Sequence, residues 1–453
     1  MAQRGFVYAL FPASAARVMR PSPRAVAGAV LLVAVVAAVQ ILRVPQGAAV
    51  NTVWAEDGAI FLGAAKWEGA GALLHPYNGY VNLVPRLVAA LVATFPLAWA
   101  AMLLGIFAAL VVGAVTLSVF VASQQHVPSP WWRAALCGWI AFVPIAGQEL
   151  LGNISNLQWY LMVAAMWALL WRPQGRAGKV AQFAVCFLAA ASGPLSVLLL
   201  PLAVGRVVAT RALGEHAPTA GLLAGLALQV VVNLLNTAGP PGTPQYAGIP
   251  LLGRLYLLRV VVVLFVGDHG AKALFSHYGW GVAYVAIAVA VVAAVAWVGP
   301  RRRRNAAWLL AALGLTSVLM FAVPVELRWG PLFVPRVGST EGLSFASRYV
   351  FVPLVALASL VACAMGGRWL RPRAQRRLAV FPAVMLAAAA TVWVLDFSAV
   401  DSPRQSGPLW QPELAAAQST CRATPGLATA SVNIRPPGWA VELHCSDLVA
   451  SSR

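Results

Sequence analysis

The chain has 453 residues, of which 60% are hydrophobic and only 10% are charged, and its formal net charge is +19. This composition excludes an ordinary soluble domain, because repeated apolar runs of about 20 residues have the length that crosses a bilayer. The runs do not alternate between polar and apolar residues as the strands of an outer-membrane barrel do. The sequence therefore predicts an all-α polytopic membrane protein.

Eleven membrane-spanning helices are predicted along the chain. They cover residues 25–43, 97–122, 134–150, 156–171, 180–192, 195–208, 219–236, 277–298, 305–323, 349–366 and 379–396. These spans form a core over 25–396, which follows a short N-terminal segment (1–24) and precedes a polar C-terminal cap (397–453). Because the first span is followed by Arg43-Val44-Pro45 and not by small residues, we expect a retained anchor without a cleavage site.

The basic residues are concentrated on one side of these spans. Nineteen of the 32 Lys and Arg residues lie in its short loops, at Arg4, Arg17, Arg20, Arg24, Arg133, Arg172, Arg176, Lys179, Arg206, Arg211, Arg301 to Arg304 and Arg368 through Arg377. By the positive-inside rule this side is cytoplasmic, which places the N-terminus inside and the C-terminus outside. Of the 13 acidic residues, only Glu215 falls on that side. The net charge is thus explained by topology, and no nucleic-acid partner is expected.

Two adjacent carboxylates lie in the first outer loop, in the sequence Trp54-Ala55-Glu56-Asp57-Gly58. Carboxylates near a membrane face must stay hydrated or paired, so their presence there indicates a chemical role. Asp57 is the first candidate for a catalytic carboxylate, and Glu56 is its alternative or the partner of a nearby Arg. A second interpretation is that the pair begins a short loop helix, because the helix dipole favours acidic side chains at its N-terminus.

Polar and aromatic side chains accompany these carboxylates in the outer loops. The predicted substrate-contacting residues are His75, Tyr77, Tyr80, Glu149, Asn156, Gln158, Trp159 and Tyr349. Polar groups between two spans need partners or water, so we expect those of the 147–159 loop to line a cavity. Capping of a tight hairpin is the alternative for the polar groups, and an interfacial aromatic belt is the alternative for the rings.

Short helices are also predicted at the outer surface, over 81–95 and 250–266, lying along the membrane interface. Between the fifth and sixth spans, Ser192-Gly193-Pro194 interrupts what would otherwise be one over-long helix. Broken helices at membrane depth border a cavity or a pathway, although a simple kink explains the same pattern.

Arginines at the outer surface are predicted to bind an anionic group. Arg348 is the first choice because it lies where a span meets this surface. The weaker choices are Arg86, Arg328 and Arg259, together with His269 of the same loop as Arg259. The guanidinium group suits phosphate because it donates two parallel hydrogen bonds. For each arginine, ordinary snorkelling to the interface is the alternative.

Two of the five cysteines, Cys421 and Cys445, lie in the C-terminal cap. The predicted topology puts this cap outside the membrane, where disulfides persist, so we expect these two residues to be joined. Cys137, Cys186 and Cys363 fall within predicted spans and are expected to be small buried hydrophobic residues.

The carboxylates of the first outer loop, the interfacial helices and the Arg348-Tyr349 pair entering a late span resemble the GT-C superfamily of membrane glycosyltransferases. The resemblance covers about 25–396 and leaves the cap uncovered. It implies inverting transfer of a sugar from a polyprenyl-phosphate donor to a glycan, lipid or protein acceptor, and for this reaction Asp57 is the predicted general base, with Glu56 as the alternative. It also implies a multi-pass enzyme of the bacterial inner membrane whose active site faces outward.

Two other functions are compatible with the sequence. A transporter or flippase for a lipid-linked sugar would explain the broken helix, but it should show internal repeats and ionisable groups at mid-membrane. A structural scaffold of the cell envelope would need no polar cavity. The sequence leaves the sugar, the acceptor and the oligomeric state open, and it leaves open a divalent cation held by acidic residues of the outer loops.

Overall fold

Helices dominate the computed structural model. It describes residues 10–12, 22–147, 149–210, 212–235, 246–298, 304–328, 333–335, 343, 346–366, 380–398, 404 and 406–450. Several predicted features lie outside these residues, namely Arg4, Arg17, Arg20, Arg211, Arg301 to Arg303 and the cluster from Arg368 through Arg377. The predicted all-α membrane class agrees with the described helices, whose sequences are mostly apolar.

Thirteen helices of the membrane region are labelled here in chain order. They are α1 (Pro23–Leu42), α2 (Leu83–Ala93), α3 (Ala100–Ala122), α4 (Pro130–Ala141), α5 (Leu157–Leu170), α6 (Arg176–Ser192), α7 (Leu200–Ala209), α8 (Ala217–Leu235), α9 (Ile249–Tyr278), α10 (Gly281–Val298), α11 (Arg304–Leu327), α12 (Arg348–Gly366) and α13 (Val380–Leu395). Among the described residues, six helices are long and apolar enough to cross a membrane, at Pro23–Leu42, Leu97–Gln125, Ala217–Leu235, Ile249–Tyr278, Ala306–Leu327 and Arg348–Gly366.

Each predicted span overlaps one of these helices, but their lengths differ. The clearest difference concerns the predicted span 134–150, because α4 ends at Ala141 and a 3₁₀ turn at Pro144–Gly147 follows it. Pro144 explains the early end, since the residue before a proline is disfavoured in the helical conformation. The region after Ala141 therefore belongs to the loop that follows.

The predicted interfacial helix 250–266 is part of the longer helix α9. Gly267 breaks α9 with a φ of 78°, which glycine adopts at little cost. Before α9, the backbone N–H of Ala247 donates to Glu326 over 3.1 Å. After the break, the N–H of Asp268 donates to Asp396 over 2.7 Å. Glu326 lies near the end of α11 and Asp396 follows α13, so α9 meets the ends of other helices at two points.

Arg43 joins the ends of three helices. Its side chain is fully buried, and Nη1 donates to the carbonyl of Ala141 over 3.0 Å. Nη2 donates to the carbonyl of Val143 over 2.9 Å, and Nε donates to that of Phe397 over 2.9 Å. The last carbonyls of a helix have no partner within it. Arg43 therefore ties the end of α1 to the chain segments that follow α4 and α13.

The C-terminal cap consists of α14 (Trp410–Ala423), the antiparallel strands β1 (Thr429–Ile434) and β2 (Trp439–His444), and α15 (Cys445–Ala450). A disulfide joins Cys421 to Cys445, the pair predicted from the sequence. The cap also pairs with the first outer loop. The N–H of Arg435 donates to the carbonyl of Val53 over 3.1 Å, and Trp410 Nε1 donates to that of Leu97 over 2.7 Å. The cap is thus packed firmly on the membrane region.

Candidate functional site

A cavity of about 140 Å³ lies where the first two outer loops meet the facing ends of α11 and α12. The described residues that line it are Glu56, Phe61, Tyr77, Asn78, Tyr80, Asn82, Ser155, Asn156, Gln158, Trp159, Arg328 and Arg348. Eight of these twelve are among the residues predicted from the sequence. The lining combines one carboxylate, two guanidinium groups, amides and aromatic rings, which together offer hydrogen-bond donors to an anion and polar partners to hydroxyl groups.

The charged groups of the lining come from different parts of the chain. Glu56 lies in the first outer loop, Arg328 follows α11 and Arg348 begins α12. Arg348 Nη1 is 3.7 Å from Glu149 Oε1, and the Arg348 side chain keeps 35% of its surface exposed. Glu149 therefore orients Arg348 from one side. The guanidinium group still presents donors to the cavity, since it carries five N–H groups.

The aromatic wall begins with a tight turn at Tyr77-Asn78-Gly79-Tyr80. Tyr77 and Tyr80 exchange backbone hydrogen bonds of 2.9 and 3.2 Å, while Asn78 and Gly79 have φ values of 52° and 80°. This geometry suits the Asn-Gly pair. Gln158 Nε2 donates to the Tyr80 hydroxyl over 3.4 Å. Burial raises the pKa of both Tyr77 and Tyr80, so their hydroxyls stay protonated as hydrogen-bond donors.

Trp159 and Tyr349 form a second aromatic contact at the cavity. Their ring centres are 5.4 Å apart, and the rings meet edge to face. Tyr349 lies behind the lining, where the Arg348 guanidinium carbon is 5.3 Å from its ring centre and the Phe333 ring stacks on it at 6.0 Å. Tyr349 therefore supports Arg348 and Trp159, whereas the sequence predicted that it contacts a substrate directly.

Asp57 lies behind the cavity wall, and its expected position in the cavity is corrected. Its side chain is 1% exposed and accepts the backbone N–H groups of Ile154 (2.8 Å) and Ser155 (2.9 Å). Burial raises the pKa of Asp57 to about 7, while nearby Arg404 acts to lower it. Both carboxylate oxygens hold the second outer loop. Glu56 faces the cavity because consecutive residues of a helix point about 100° apart.

Arg404 holds the same two loops together and was not predicted from the sequence. Its buried guanidinium group donates to the carbonyls of Thr52 (3.0 Å) and Leu151 (3.1 Å) and to that of Gly152. No motif surrounds this arginine in the cap, so its partners follow only from the three-dimensional arrangement. The nearby Asn156 side chain donates to the carbonyl of Glu149 over 2.7 Å.

Two predicted phosphate-binding arginines, Arg86 and Arg259, are buried outside the lining. Arg86 Nε donates to the carbonyl of Val81 over 2.9 Å, and its guanidinium carbon is 5.4 Å from the ring centre of Phe61. The guanidinium carbon of Arg259 is 5.8 Å from the ring centre of Phe333. Both arginines thus lie one layer behind aromatic residues that form or support the cavity wall.

The two predicted histidines also lie outside the cavity lining. His75 Nδ1 is 2.9 Å from Glu68 Oε2, and both side chains are exposed. His269 pairs with the buried carboxylate of Asp396, which also accepts the N–H groups of Asp268 and His269. His75 and His269 therefore have carboxylate partners of their own, and the structure brings neither together with Glu56.

Four lining residues were missed in the sequence, namely Phe61, Asn78, Asn82 and Ser155. Asn78 and Asn82 carried a usable signal, because asparagine tolerates positive φ and both adopt it here, at 52° and 56°. They alternate with the predicted tyrosines in the same loop. Phe61 and Ser155 carried no comparable signal. Among the described residues, no group of three or more His, Cys, Asp or Glu side chains is arranged to hold a metal ion.

No family model, no curated protein and no solved structure matches this chain. The resemblance to GT-C enzymes consequently rests on the quoted sequence features alone. The cavity and its charged groups are the observations from which the function is inferred.

Proposed function

We propose that the protein is an integral membrane glycosyltransferase of the GT-C type. It moves a sugar from a polyprenyl-phosphate donor to a hydroxyl of an envelope glycan, lipid or protein on the extracytoplasmic face. The observation that carries this proposal is the joint presence of Glu56, Arg328 and Arg348 in a cavity walled by tyrosine, tryptophan and amide side chains. A carboxylate supplies a base, and two guanidinium groups supply a site for a phosphate.

The proposed topology has eleven crossings with the N-terminus inside, and contacts between loops are compatible with its assignment of sides. Arg43 connects segments that the basic-residue pattern assigns to the outer side. On the opposite side, the N–H of Arg172 donates to Gln125 over 2.9 Å, and the Arg172 side chain pairs with Glu215 over 3.3 Å. Arg206 Nη1 donates to the carbonyl of Leu169 over 2.6 Å. Each contact joins segments assigned to the same side.

The proposed reaction is a single displacement at the anomeric carbon. Glu56 accepts the proton of the acceptor hydroxyl as its oxygen forms a bond to that carbon. The bond from the carbon to the phosphate oxygen breaks, and its electron pair leaves with the phosphate. Arg328 and Arg348 stabilise the departing anion. The acceptor enters opposite the leaving group, so the product has inverted configuration. Asp57 takes no part in proton transfer, which reverses its predicted role.

The test uses the purified full-length protein in lipid nanodiscs with polyprenyl-phosphate donors carrying arabinofuranose, mannose or glucose, and alkyl glycosides as acceptors. The proposal predicts that one donor is consumed, that polyprenyl phosphate is released and that NMR shows an inverted linkage. If none of the three donors is cleaved, the proposal in this form is contradicted. Movement of an intact lipid-linked sugar between leaflets of proteoliposomes, without cleavage, would instead favour the transporter alternative.

A further inference from the structure

The turn at 151–155 of the second outer loop is held from both sides by buried charges. On one side, Arg404 donates to the carbonyls of Leu151 and Gly152. On the other side, Asp57 accepts the N–H groups of Ile154 and Ser155. Unpaired main-chain groups are costly when buried, so each of these contacts also satisfies a group that lacks a partner within a helix.

Arg404 also holds the first outer loop. Nη2 donates to the carbonyl of Thr52 over 3.0 Å, and the guanidinium carbon lies 5.9 Å from the ring centre of Trp54. Trp54 precedes Glu56 by two residues. One guanidinium group in the C-terminal cap therefore contacts the segment that carries Glu56 and the turn that leads into Asn156.

The space around Arg404 is closely filled. Gly152 has a φ of 67°, and a Cβ atom added there would lie 3.1 Å from Arg404 Nη1 and 3.2 Å from Ala49 Cβ. Asp57 and Arg435 of the cap are both close enough to Arg404 to influence it electrostatically. Asp57 and Arg404 are buried and hydrogen-bonded to the main chain, and such bonds fix the distance between the two loops in front of them.

We propose that Arg404 is a positioning residue that sets the distance between Glu56 and the wall formed by Ser155, Asn156 and Gln158. This inference rests on the proposed function for its catalytic consequence. It makes the C-terminal cap an integral part of the active site, because the residue that aligns the two loops belongs to the cap. Arg328 and Arg348 lie outside the two segments that Arg404 holds, and Arg348 reaches the second loop only through its 3.7 Å contact with Glu149. Loss of Arg404 should therefore affect the phosphate-binding side less than the Glu56 side.

The test compares wild type with Arg404→Gln in the full-length protein, using hydrogen exchange measured by mass spectrometry. The matched control is Arg422→Gln, since Arg422 lies exposed on α14 of the same cap. Arg404→Gln is expected to speed exchange of the amides at 150–156 and 52–58, whereas Arg422→Gln is expected to leave them unchanged. If Arg404→Gln does not fold, Arg404→Lys is used in its place. Lysine keeps the charge but lacks the planar set of donors of a guanidinium group, so it should give an intermediate increase in the exchange rate of these amides.

The kinetic readout separates positioning from general loss of structure. Arg404→Gln is expected to lower kcat by about 10- to 100-fold, because small misplacement of reacting groups has effects of this size. The KM for the donor should stay within about twofold, since Arg328 and Arg348 bind the phosphate. Unchanged exchange at 150–156, or equal effects on kcat and KM, would overturn the inference. A wild-type protein without transferase activity would refute the proposed function, yet the exchange result would still decide whether Arg404 aligns the loops.

Discussion

The front and back of the cavity wall use the same kinds of charged residue in opposite ways. At the front, Glu56, Arg328 and Arg348 present partly solvated groups to open space. At the back, the side chains of Asp57 and Arg404 are buried and form hydrogen bonds with the main chain. Under the proposed function, Glu56 has the chemical role and the adjacent Asp57 has a structural role. The environment of a carboxylate, and not its place in a motif, indicates its role.

The back layer follows a general pattern in this molecule. Arg43, Asp396 and Arg404 are all buried, and each holds main-chain groups at the ends of helices or in loops. A buried charge that lacks partners is costly, so charges retained in an apolar interior are expected to be bonded in this way. These residues stabilise the ends of helices and the loops that follow them, and Asp57 and Arg404 do so directly behind the cavity.

The largest expected effect concerns the front layer. Glu56→Gln preserves size and removes the base, so turnover should fall by about 10²- to 10⁴-fold while the melting temperature stays at its wild-type value. Turnover of the donor is measured with purified protein, and unfolding is followed by the fluorescence of the tryptophans. Near-normal turnover in a folded Glu56→Gln protein would remove Glu56 from the mechanism.

A smaller effect is expected at the phosphate-binding side. Arg348→Ala removes a charged hydrogen-bond donor, which typically contributes about 1.5–3 kcal/mol, so donor binding should weaken by roughly 10- to 100-fold. Arg348→Lys is the matched control, because it keeps the charge and loses the planar fork, and it should give an intermediate affinity. Binding is measured with a labelled polyprenyl phosphate. Equal affinity of wild type and Arg348→Ala would show that the phosphate binds elsewhere.

A substitution in the back layer should lower the stability of the protein without abolishing turnover. Asp57→Asn turns one hydrogen-bond acceptor into an N–H₂ group that faces a backbone N–H, which is expected to cost about 1–3 kcal/mol of stability. The variant should unfold at a lower temperature but retain measurable turnover below that temperature. Complete loss of turnover in a folded Asp57→Asn protein, alongside an active Glu56→Gln protein, would restore Asp57 as the base.

The pH dependence of stability gives the smallest of these effects. The pKa of Asp57 is about 7 in the folded protein, above the ordinary value near 4 that applies to the unfolded chain. Between these values the folded state binds more protons, so the contribution of Asp57 to stability is greatest below about pH 4 and is lost as the pH rises through about 7. The melting temperature of Asp57→Asn should vary less over this range. An identical pH profile for both proteins would contradict the assigned burial.

Much of the helical architecture was predictable from the sequence because hydrophobic length is a strong signal in membrane proteins. The arginine at the start of α12 was recognised from its position at the start of a span. The Asn78-Gly79 pair carried a turn signal from which no turn was predicted. The sequence did not predict correctly which of two adjacent carboxylates faces the cavity. Glu56 and Asp57 are equivalent in composition, and only the helical turn beginning at Asp57 decides which of them faces the cavity.

Long-range partners were beyond sequence reasoning. Arg404 is separated by 252 residues from Gly152, and no local pattern marks it. Arg43 seemed to be only the end of a membrane span, although its donors reach Asp396 and Phe397 more than 350 residues later. Such contacts depend on how the helices pack together, which a single sequence does not reveal.

The most direct test of the account is an experimental structure of the protein with a bound polyprenyl-phosphate sugar. We predict that the phosphate contacts Arg348 and Arg328, that the sugar lies against Tyr77, Tyr80 or Trp159, and that Glu56 is the carboxylate nearest the anomeric carbon. Asp57 should remain bonded to the N–H groups of Ile154 and Ser155. A sugar seated against Asp57, with Glu56 turned away from it, would contradict the central claim that the front and back carboxylates have separate roles.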